Sequence, residues 1–100
     1  MRLVTSLAGS GPPILCLHGH PGSGACMEVF TRPLSQKYFT LAPDLRGYGR
    51  SQTKTEFAIA THLDDLEALL DRYGIKKCLI LGWSLGGIIG LELALRSPER

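Results

Sequence analysis

The 100-residue sequence predicts an α/β fold in which helices cover both faces of a mostly parallel sheet, giving three layers, α/β/α. Short apolar runs, typical of strands buried on both faces, alternate along the chain with helix-like patterns. A glycine-containing motif follows each of three such runs, and ligands bind at the carboxyl ends of strands in open parallel sheets. We therefore expect one domain over residues 1–100, with its functional groups along one edge of the sheet.

Four segments are predicted to be strands. Arg2–Leu7 is expected at the edge of the sheet, and the turn Gly9–Pro13 separates it from the buried run Ile14–Leu17. Tyr38–Ala42 and Lys77–Gly82 are predicted to be the second and third buried strands. Helices between parallel strands imply right-handed crossovers.

Three segments are predicted to be helices. The first contains Met27, Phe30 and Leu34 at helical spacing, although Pro33 should kink or restart it. The last extends from about Ser84 to Arg96, and an ion pair between Glu92 and Arg96 is expected on its wet side.

The middle helix has the clearest amphipathic pattern. Its apolar stripe consists of Ile59, Leu63, Leu66, Leu70 and Tyr73. Thr61 and Asp64 resemble a capping box at its start, and Gly74 is expected to end it. His62 lies near that start and is expected to be solvated. The preceding loop, Leu45–Glu56, is polar and contains glycine.

The pentapeptide GWSLG, Gly82–Gly86, is the most informative motif. A serine between two glycines, after a strand and opening a helix, is typical of a nucleophile elbow. Side chains at the flanking positions would collide with neighbouring backbone in so sharp a turn, so glycine is needed there. Ser84 would then project its hydroxyl above the sheet edge. The alternative is that Ser84 only caps the helix.

Two further motifs follow the first and second buried strands: HGHPG, His18–Gly22, and DLRGYGRS, Asp44–Ser51. His18 and His20 could bind a metal, but no third ligand is evident, and His18 is expected to make structural hydrogen bonds beneath its loop. Asp44 and Arg46 are expected to pair and to hold the glycine turn.

In order and spacing, these motifs resemble those of the α/β-hydrolase fold superfamily, from about Gly9 to Arg100. The elbow looks most like that of small soluble serine carboxylesterases, including pimeloyl-ester carboxylesterases. The resemblance covers the amino-terminal half or less of a typical member, and implies an incomplete fold in which residues 1–100 are the amino-terminal portion of a single domain. Such enzymes place an acid and then a histidine after the serine, whereas only Glu92 and Glu99 follow Ser84 as acids, and the last histidine is His62.

The resemblance also implies roles for individual residues. Ser84 would be the nucleophile, and the backbone N–H groups of Leu85 and His20 would form the oxyanion hole. Trp83 would line an acyl pocket, or would simply pack against the next strand. The expected substrate is a small-molecule ester or related acyl compound, with no cofactor and no metal, and this chain alone is expected to be inactive.

Other activities stay open within the same superfamily. The His18–Gly22 and Asp44–Ser51 motifs also look like those of epoxide hydrolases and haloalkane dehalogenases, which use an aspartate nucleophile where this chain has Ser84. Serine-bearing relatives include haloperoxidases (perhydrolases), enol-lactonases and carbon–carbon bond hydrolases. A non-catalytic binding module on the same fold is the remaining alternative.

The composition argues against several classes of partner. The net charge is +2 and the eleven basic residues are scattered, so nucleic-acid binding is not indicated. The run from Cys78 to Leu95 contains Ser84, Glu92 and four glycines, and is better interpreted as strand, turn and helix than as a membrane span. The glycines of that helix, Gly86, Gly87 and Gly90, are expected to let it pack closely on the sheet. Nothing indicates the oligomeric state.

The cysteines indicate a reducing compartment. Cys16, Cys26 and Cys78 are an odd number at wide spacing, and Cys16 and Cys78 fall within apolar runs where a buried thiol is usual. We therefore expect a cytoplasmic protein without a disulfide framework.

Overall fold

The computed structural model describes residues 2–53 and 58–98. The four strands are β1 (Thr5–Ala8), β2 (Pro13–Leu17), β3 (Phe39–Pro43) and β4 (Leu79–Gly82). A short 3-10 turn (Gly24–Met27) leads into α1 (Glu28–Leu34), and two longer helices follow, α2 (Ile59–Arg72) and α3 (Leu85–Arg96). The last part of the predicted polar loop, residues 54–56, and Glu99 lie outside the described residues.

The strands form one sheet in the order β1-β3-β2-β4. β2 is parallel to both of its neighbours, with Leu15 opposite Leu41 and Leu17 opposite Gly82, whereas β1 is antiparallel to β3. The predicted mostly parallel sheet is therefore confirmed. Because β2, β3 and β4 point the same way, their carboxyl ends share one edge of the sheet.

The alternation of side chains along β2 divides the core into two layers. Leu15 and Leu17 pack with α2 and α3 on one face of the sheet. Ile14 and Cys16 face the opposite layer, formed by the 3-10 turn and α1. Both faces of β2 are therefore buried, as its continuous apolar run predicts. Burial raises the pKa of the Cys16 thiol to about 11.

The middle helix differs from its prediction at both ends. Ala58 is the N-cap and α2 begins at Ile59, so Thr61 and Asp64 lie inside the helix and the predicted capping box is wrong. Of the predicted stripe residues, Leu63, Leu66 and Leu70 are buried and Ile59 is partly buried. The prediction is wrong for Tyr73, which lies after the last residue of the helix and is exposed. The helix ends before Gly74, which has φ +66° as a C-terminal stop requires.

Two predicted boundaries shift by a few residues. The edge strand is found at Thr5–Ala8 rather than Arg2–Leu7, because its register pairs Thr5 with Pro43 and Ala8 with Thr40. Pro33 lies in the last turn of α1, and that helix ends one residue later at Leu34. A proline cannot donate to the helical ladder, which fits this early end.

The prediction that the last strand is buried is wrong for the described part of the chain. β4 is an edge strand there, because only β2 pairs with it, and Leu79 is 62% exposed. Cys78, just before it, is only partly buried. The adjoining surface of α3 is also apolar and exposed, through Ile88, Leu91 and Leu95.

The predicted pair between Glu92 and Arg96 is replaced by contacts between helices. The Arg96 guanidinium lies 2.5 Å from a carboxylate oxygen of Asp64 and 3.3 Å from one of Glu67, both on α2. Because α3 packs beside α2, these acids lie within reach of Arg96. Among the described residues, no helix has the length and apolar composition needed to cross a membrane.

Candidate active site

Ser84 adopts a strained backbone conformation between β4 and α3. Among the described residues it is the one non-glycine residue with positive φ, at φ 54° and ψ −114°. A residue with a Cβ adopts such angles only when its surroundings enforce them. Ser84 is exposed and is followed directly by the first residue of α3. The structure thus places this serine at a sharp strand-to-helix turn, as the elbow motif predicts.

The glycines on either side of Ser84 have no room for a side chain. A Cβ built on Gly82 would stand 2.5 Å from the carbonyl oxygen of Gly86. One built on Gly86 would stand 2.1 Å from the carbonyl oxygen of Leu17. Both distances are far below van der Waals contact, so the tight turn and the close approach of α3 to β2 each require glycine.

The loop after β2 lies directly against the elbow. The amide of Trp83 donates to the carbonyl of Leu17 over 3.0 Å, which extends the β2–β4 ladder to the turn. A Cβ built on Gly19 would stand 2.8 Å from the Trp83 ring and 3.1 Å from Cβ of Ser84. The motif that begins at His18 is therefore beside the Ser84 side chain.

Neither the Leu85 N–H nor the His20 N–H makes a hydrogen bond to residues 2–53 and 58–98. Leu85 is the first residue of α3, where helix N–H groups lack an intrahelical acceptor and the helix dipole is positive. The first hydrogen bonds of α3 come from the N–H groups of Gly87 and Ile88, which both donate to the Ser84 carbonyl.

His18 holds the loop from below. It is fully buried, its Nδ1 lies 2.8 Å from the carbonyl oxygen of Gly19, and its Nε2 accepts a hydrogen bond from the Leu45 amide over 3.0 Å. The prediction of structural hydrogen bonds is confirmed. Desolvation lowers the pKa of His18, outweighing the opposite effects of the Gly19 carbonyl and Asp44, and so favours the neutral ring.

Tyr48, which the sequence analysis did not single out, contacts both histidines of the HGHPG motif. Its hydroxyl shares a hydrogen bond with Nδ1 of His20 over 2.7 Å. Its ring meets those of His18 and His20 edge-on, with centroids 5.2 and 5.5 Å apart. One side chain therefore connects the loop after β3 to the loop after β2.

Asp44 does not pair with Arg46, and that prediction is wrong. The buried Asp44 carboxylate accepts hydrogen bonds from Nε and the backbone N–H of Arg50, both over 2.8 Å, and from the Gly24 amide over 2.7 Å. The tight turn of the Asp44–Ser51 motif places Arg50 next to the Asp44 carboxylate. Burial alone would raise the pKa of Asp44, but the hydrogen bonds from Arg50 and Gly24 outweigh it and hold the pKa below its usual value.

Arg46 points to α2 instead and pairs with Asp65. Nε and Nη2 of Arg46 lie 2.7 and 2.8 Å from the two carboxylate oxygens. Burial alone would raise the pKa of Asp65, but favourable interactions, the hydrogen bonds from Arg46 foremost among them, outweigh it, so that pKa too lies below its usual value. Asp44 and Arg46 both hold their glycine turn, but through different partners.

His62 is buried, not solvated as predicted. It is 3% exposed, and its Nδ1 has no hydrogen-bond partner among the described residues. It shares one face of α2 with Asp65, Leu66 and Leu69, all of them buried. Desolvation lowers the pKa of His62, outweighing the opposite effect of Asp65.

Trp83 forms an apolar surface beside the serine. The residue is 61% exposed, and the centroid of its ring lies 6.4 Å from that of Phe30 on α1. No strand covers it in the described part of the chain, so the two predicted roles, pocket wall and packing contact, both stay predictions. In the same residues, no group of three metal-ligating side chains lies close enough together to hold an ion.

The strand-to-helix turn at Ser84 agrees with the family to which the sequence is similar. The sequence profile of the alpha/beta hydrolase fold matches residues 12–100, and the chain belongs to that family.

Relatives of known structure share the fold closely. An esterase from a marine microorganism superposes with a TM-score of 0.93 at 25% identity, over 98% of this chain and 38% of that one. An epoxide hydrolase from an endophytic Streptomyces superposes with a TM-score of 0.90 at 28% identity, over 98% of this chain and 33% of that one.

Curated relatives are longer proteins. The pimeloyl-[acyl-carrier protein] methyl ester esterase of Aeromonas hydrophila is 34% identical over 102 aligned positions, which cover 100% of this chain and 39% of the esterase. A Mycobacterium tuberculosis protein, Rv2715, is 32% identical, and the chain covers 29% of its length. The chain thus spans about a third of the relatives that it matches.

Proposed function

We propose that this chain is the amino-terminal part of a serine hydrolase that cleaves a carboxylic ester or a related acyl bond. The observation that carries the proposal is the backbone of Ser84, held at φ 54° between two glycines that admit no side chain. Strain of this kind persists where the surroundings fix a functional group in one orientation. The similarity to two esterases supports the same class of substrate.

In this proposal the Ser84 hydroxyl oxygen attacks the carbonyl carbon of the substrate. The carbonyl oxygen becomes an oxyanion and accepts hydrogen bonds from the Leu85 and His20 amides, which have no other partner in the described residues. The intermediate then expels the alcohol, leaving an acyl-enzyme that water hydrolyses. The exposed Trp83 ring would contact the acyl group, which favours an apolar acyl chain.

Ser84 needs a base to remove its proton, and His18 does not suit that role. Both of its ring nitrogens are engaged, with the Gly19 carbonyl and the Leu45 amide. We propose that the base is a histidine, oriented by an acid, from parts of the protein outside this chain, since the relatives are about three times longer.

The full-length protein tests this function when it is treated with a fluorophosphonate probe and the adduct is mapped by mass spectrometry. We expect the adduct on Ser84, and turnover of nitrophenyl esters that Ser84→Ala abolishes. Ester turnover that survives Ser84→Ala would contradict the proposal. Labelling of Ser84 without turnover of any ester would favour other serine chemistry on the same fold, such as perhydrolysis or carbon–carbon bond cleavage.

The 100 residues alone are expected to hydrolyse these esters little or not at all, because no histidine follows Ser84 in them. Residual catalysis in enzymes that lack triad members depends on a complete pocket. Strong turnover by the isolated chain, lost in Ser84→Ala, would place the base among these residues.

A further inference from the structure

Tyr48 occupies a rigid position between the two loops that follow β2 and β3. Its amide donates to the Leu45 carbonyl over 2.8 Å, and its carbonyl accepts from the Ser51 amide over 2.9 Å. Asp44 holds the same loop through Arg50 and ties it to the backbone of Gly24. The Tyr48 ring is therefore carried by a loop whose own backbone is closed by hydrogen bonds.

The His20 side chain lies at the surface of its loop. It is exposed, and among the described residues its hydrogen-bond partner is the Tyr48 hydroxyl, 2.7 Å from Nδ1. The backbone N–H of His20 makes no hydrogen bond to the described residues. The peptide plane that carries this N–H also carries the Gly19 carbonyl, whose oxygen lies 2.8 Å from Nδ1 of His18. The contact with Tyr48 restrains the rotamer of the His20 side chain, on the other side of the same Cα.

We propose that Tyr48 is a positioning residue that aims the His20 amide at the oxyanion. This inference rests on the proposed function, and it adds a residue that makes no contact with the reacting atoms. The hydroxyl of Tyr48 fixes His20, while its ring keeps His18 and the base of the same loop in place through the edge contact at 5.2 Å. An oxyanion donor acts mainly in the transition state, so misaiming it lowers kcat more than it raises KM.

The first test is Tyr48→Phe in the full-length protein, which removes the hydroxyl and keeps the ring. We expect kcat for a nitrophenyl ester to fall about 10-fold, less than the loss of a whole oxyanion donor, with KM within about twofold of wild type. Affinity for a trifluoromethyl ketone analogue should fall in parallel. The matched control is Tyr73→Phe, because Tyr73 packs on Phe39 and Arg72 at the end of α2, and this change should leave all three quantities unaltered.

The second test breaks the same hydrogen bond from the His20 side. His20→Leu removes the partner atom, whereas His20→Asn places an amide where Nδ1 stood and can keep a hydrogen bond to Tyr48. We expect His20→Leu to lose as much kcat as Tyr48→Phe, and His20→Asn to lose less. The double variant Tyr48→Phe/His20→Leu should lose no more than either single variant.

Two results would overturn the inference: wild-type kcat and analogue affinity in Tyr48→Phe, or equal losses in His20→Asn and His20→Leu. The second comparison decides the matter even if Tyr48→Phe does not fold, because the His20 side chain is exposed. Fluorophosphonate labelling of each variant separates this inference from the proposed function. If Ser84 is labelled and kcat is unchanged, only the role of Tyr48 falls, whereas an unlabelled Ser84 in the wild-type protein overturns the serine mechanism itself.

Discussion

Arg46 and Asp65 form a two-point ion pair that fastens α2 to the loop after β3, with N–O distances of 2.7 and 2.8 Å. The Asp65 side chain is 2% exposed and that of Arg46 is 11% exposed. Removal of one partner from a buried ion pair takes away the interaction that offsets most of the cost of burying the other charge. The pair therefore matters for stability far more than the exposed ion pairs of the same helix.

Asp65→Asn is expected to lower the free energy of unfolding by about 3 kcal/mol, the lower end of the cost of breaking a buried pair. Asp64→Asn is the matched control, since Asp64 is the preceding residue on α2 and its side chain is 65% exposed. That change should leave stability nearly unaltered. Urea denaturation of both variants measures the difference, and equal losses would contradict the prediction.

Gly86→Ala is expected to destabilise the protein by about 3 kcal/mol, because the added Cβ would meet the Leu17 carbonyl oxygen at 2.1 Å and backbone cannot yield easily. Gly87→Ala provides the control one residue along α3. Its added Cβ would find its nearest neighbour at 3.6 Å, an ordinary contact. Alanine is the better helix former, so this variant should unfold at the same or a slightly higher urea concentration.

Ser84→Gly is expected to raise the free energy of unfolding by about 1 kcal/mol while abolishing ester hydrolysis, because glycine adopts positive φ without the steric cost of a Cβ. Ser84→Ala should abolish hydrolysis as well, yet gain no stability, since alanine keeps the Cβ. Thermal unfolding of the two variants beside wild type gives the comparison. A stabilised Ser84→Ala protein, or an unchanged Ser84→Gly protein, would show that the turn is not strained.

The buried histidines predict a loss of stability in mild acid. Desolvation lowers the pKa values of His18 and His62 in the folded protein, so the unfolded chain binds protons more readily. Their contribution is fully present above the unfolded pKa of about 6.5, and is lost as the pH falls below that value toward the folded pKa.

His62→Leu should therefore reduce the drop in unfolding free energy between pH 7 and pH 5. Asp65 and Arg46 act on His62 in opposite directions and remain in place, as does His18. Comparison of the variant with wild type at pH 8, where both histidines are neutral in either state, gives the baseline. A difference between the two proteins that stays constant from pH 8 to pH 5 would refute the assignment.

The elbow could be predicted from sequence because its cause is local. A serine flanked by Gly82 and Gly86, between an apolar run and a helical pattern, fixes the turn through steric exclusion within five residues. The alternation of strands and helices likewise gave the parallel arrangement of β2, β3 and β4. The edge position of β4 could not be predicted this way. An apolar run shows that a strand is suited to burial, but it does not show whether another strand pairs with it.

The partners of the charged residues could not be predicted, because they depend on the path of the loop after β3. Asp44 and Arg46 are two residues apart, yet the turn directs them to Arg50 and to Asp65 respectively. The contact between Tyr48 and His20 joins residues 28 positions apart and left no sign in the sequence.

The burial of His62 did have a signal. Positions 62, 65, 66 and 69 follow the i, i+3, i+4, i+7 spacing of a buried helix face, but two of these residues, His62 and Asp65, are polar, so an apolar stripe through Leu66 does not include them.

The position of Cys16 makes this thiol a natural reporter of sheet opening. The Cys16 side chain is fully buried and its pKa is about 11, so almost no Cys16 is present as the thiolate, the form that reacts with iodoacetamide. Cys26, in contrast, is exposed to the reagent. Alkylation of Cys16 thus requires the central strand to lose one of its covering layers. The rate at which Cys16 is alkylated, relative to the rate at Cys26, therefore measures how often the folded protein opens locally at the sheet.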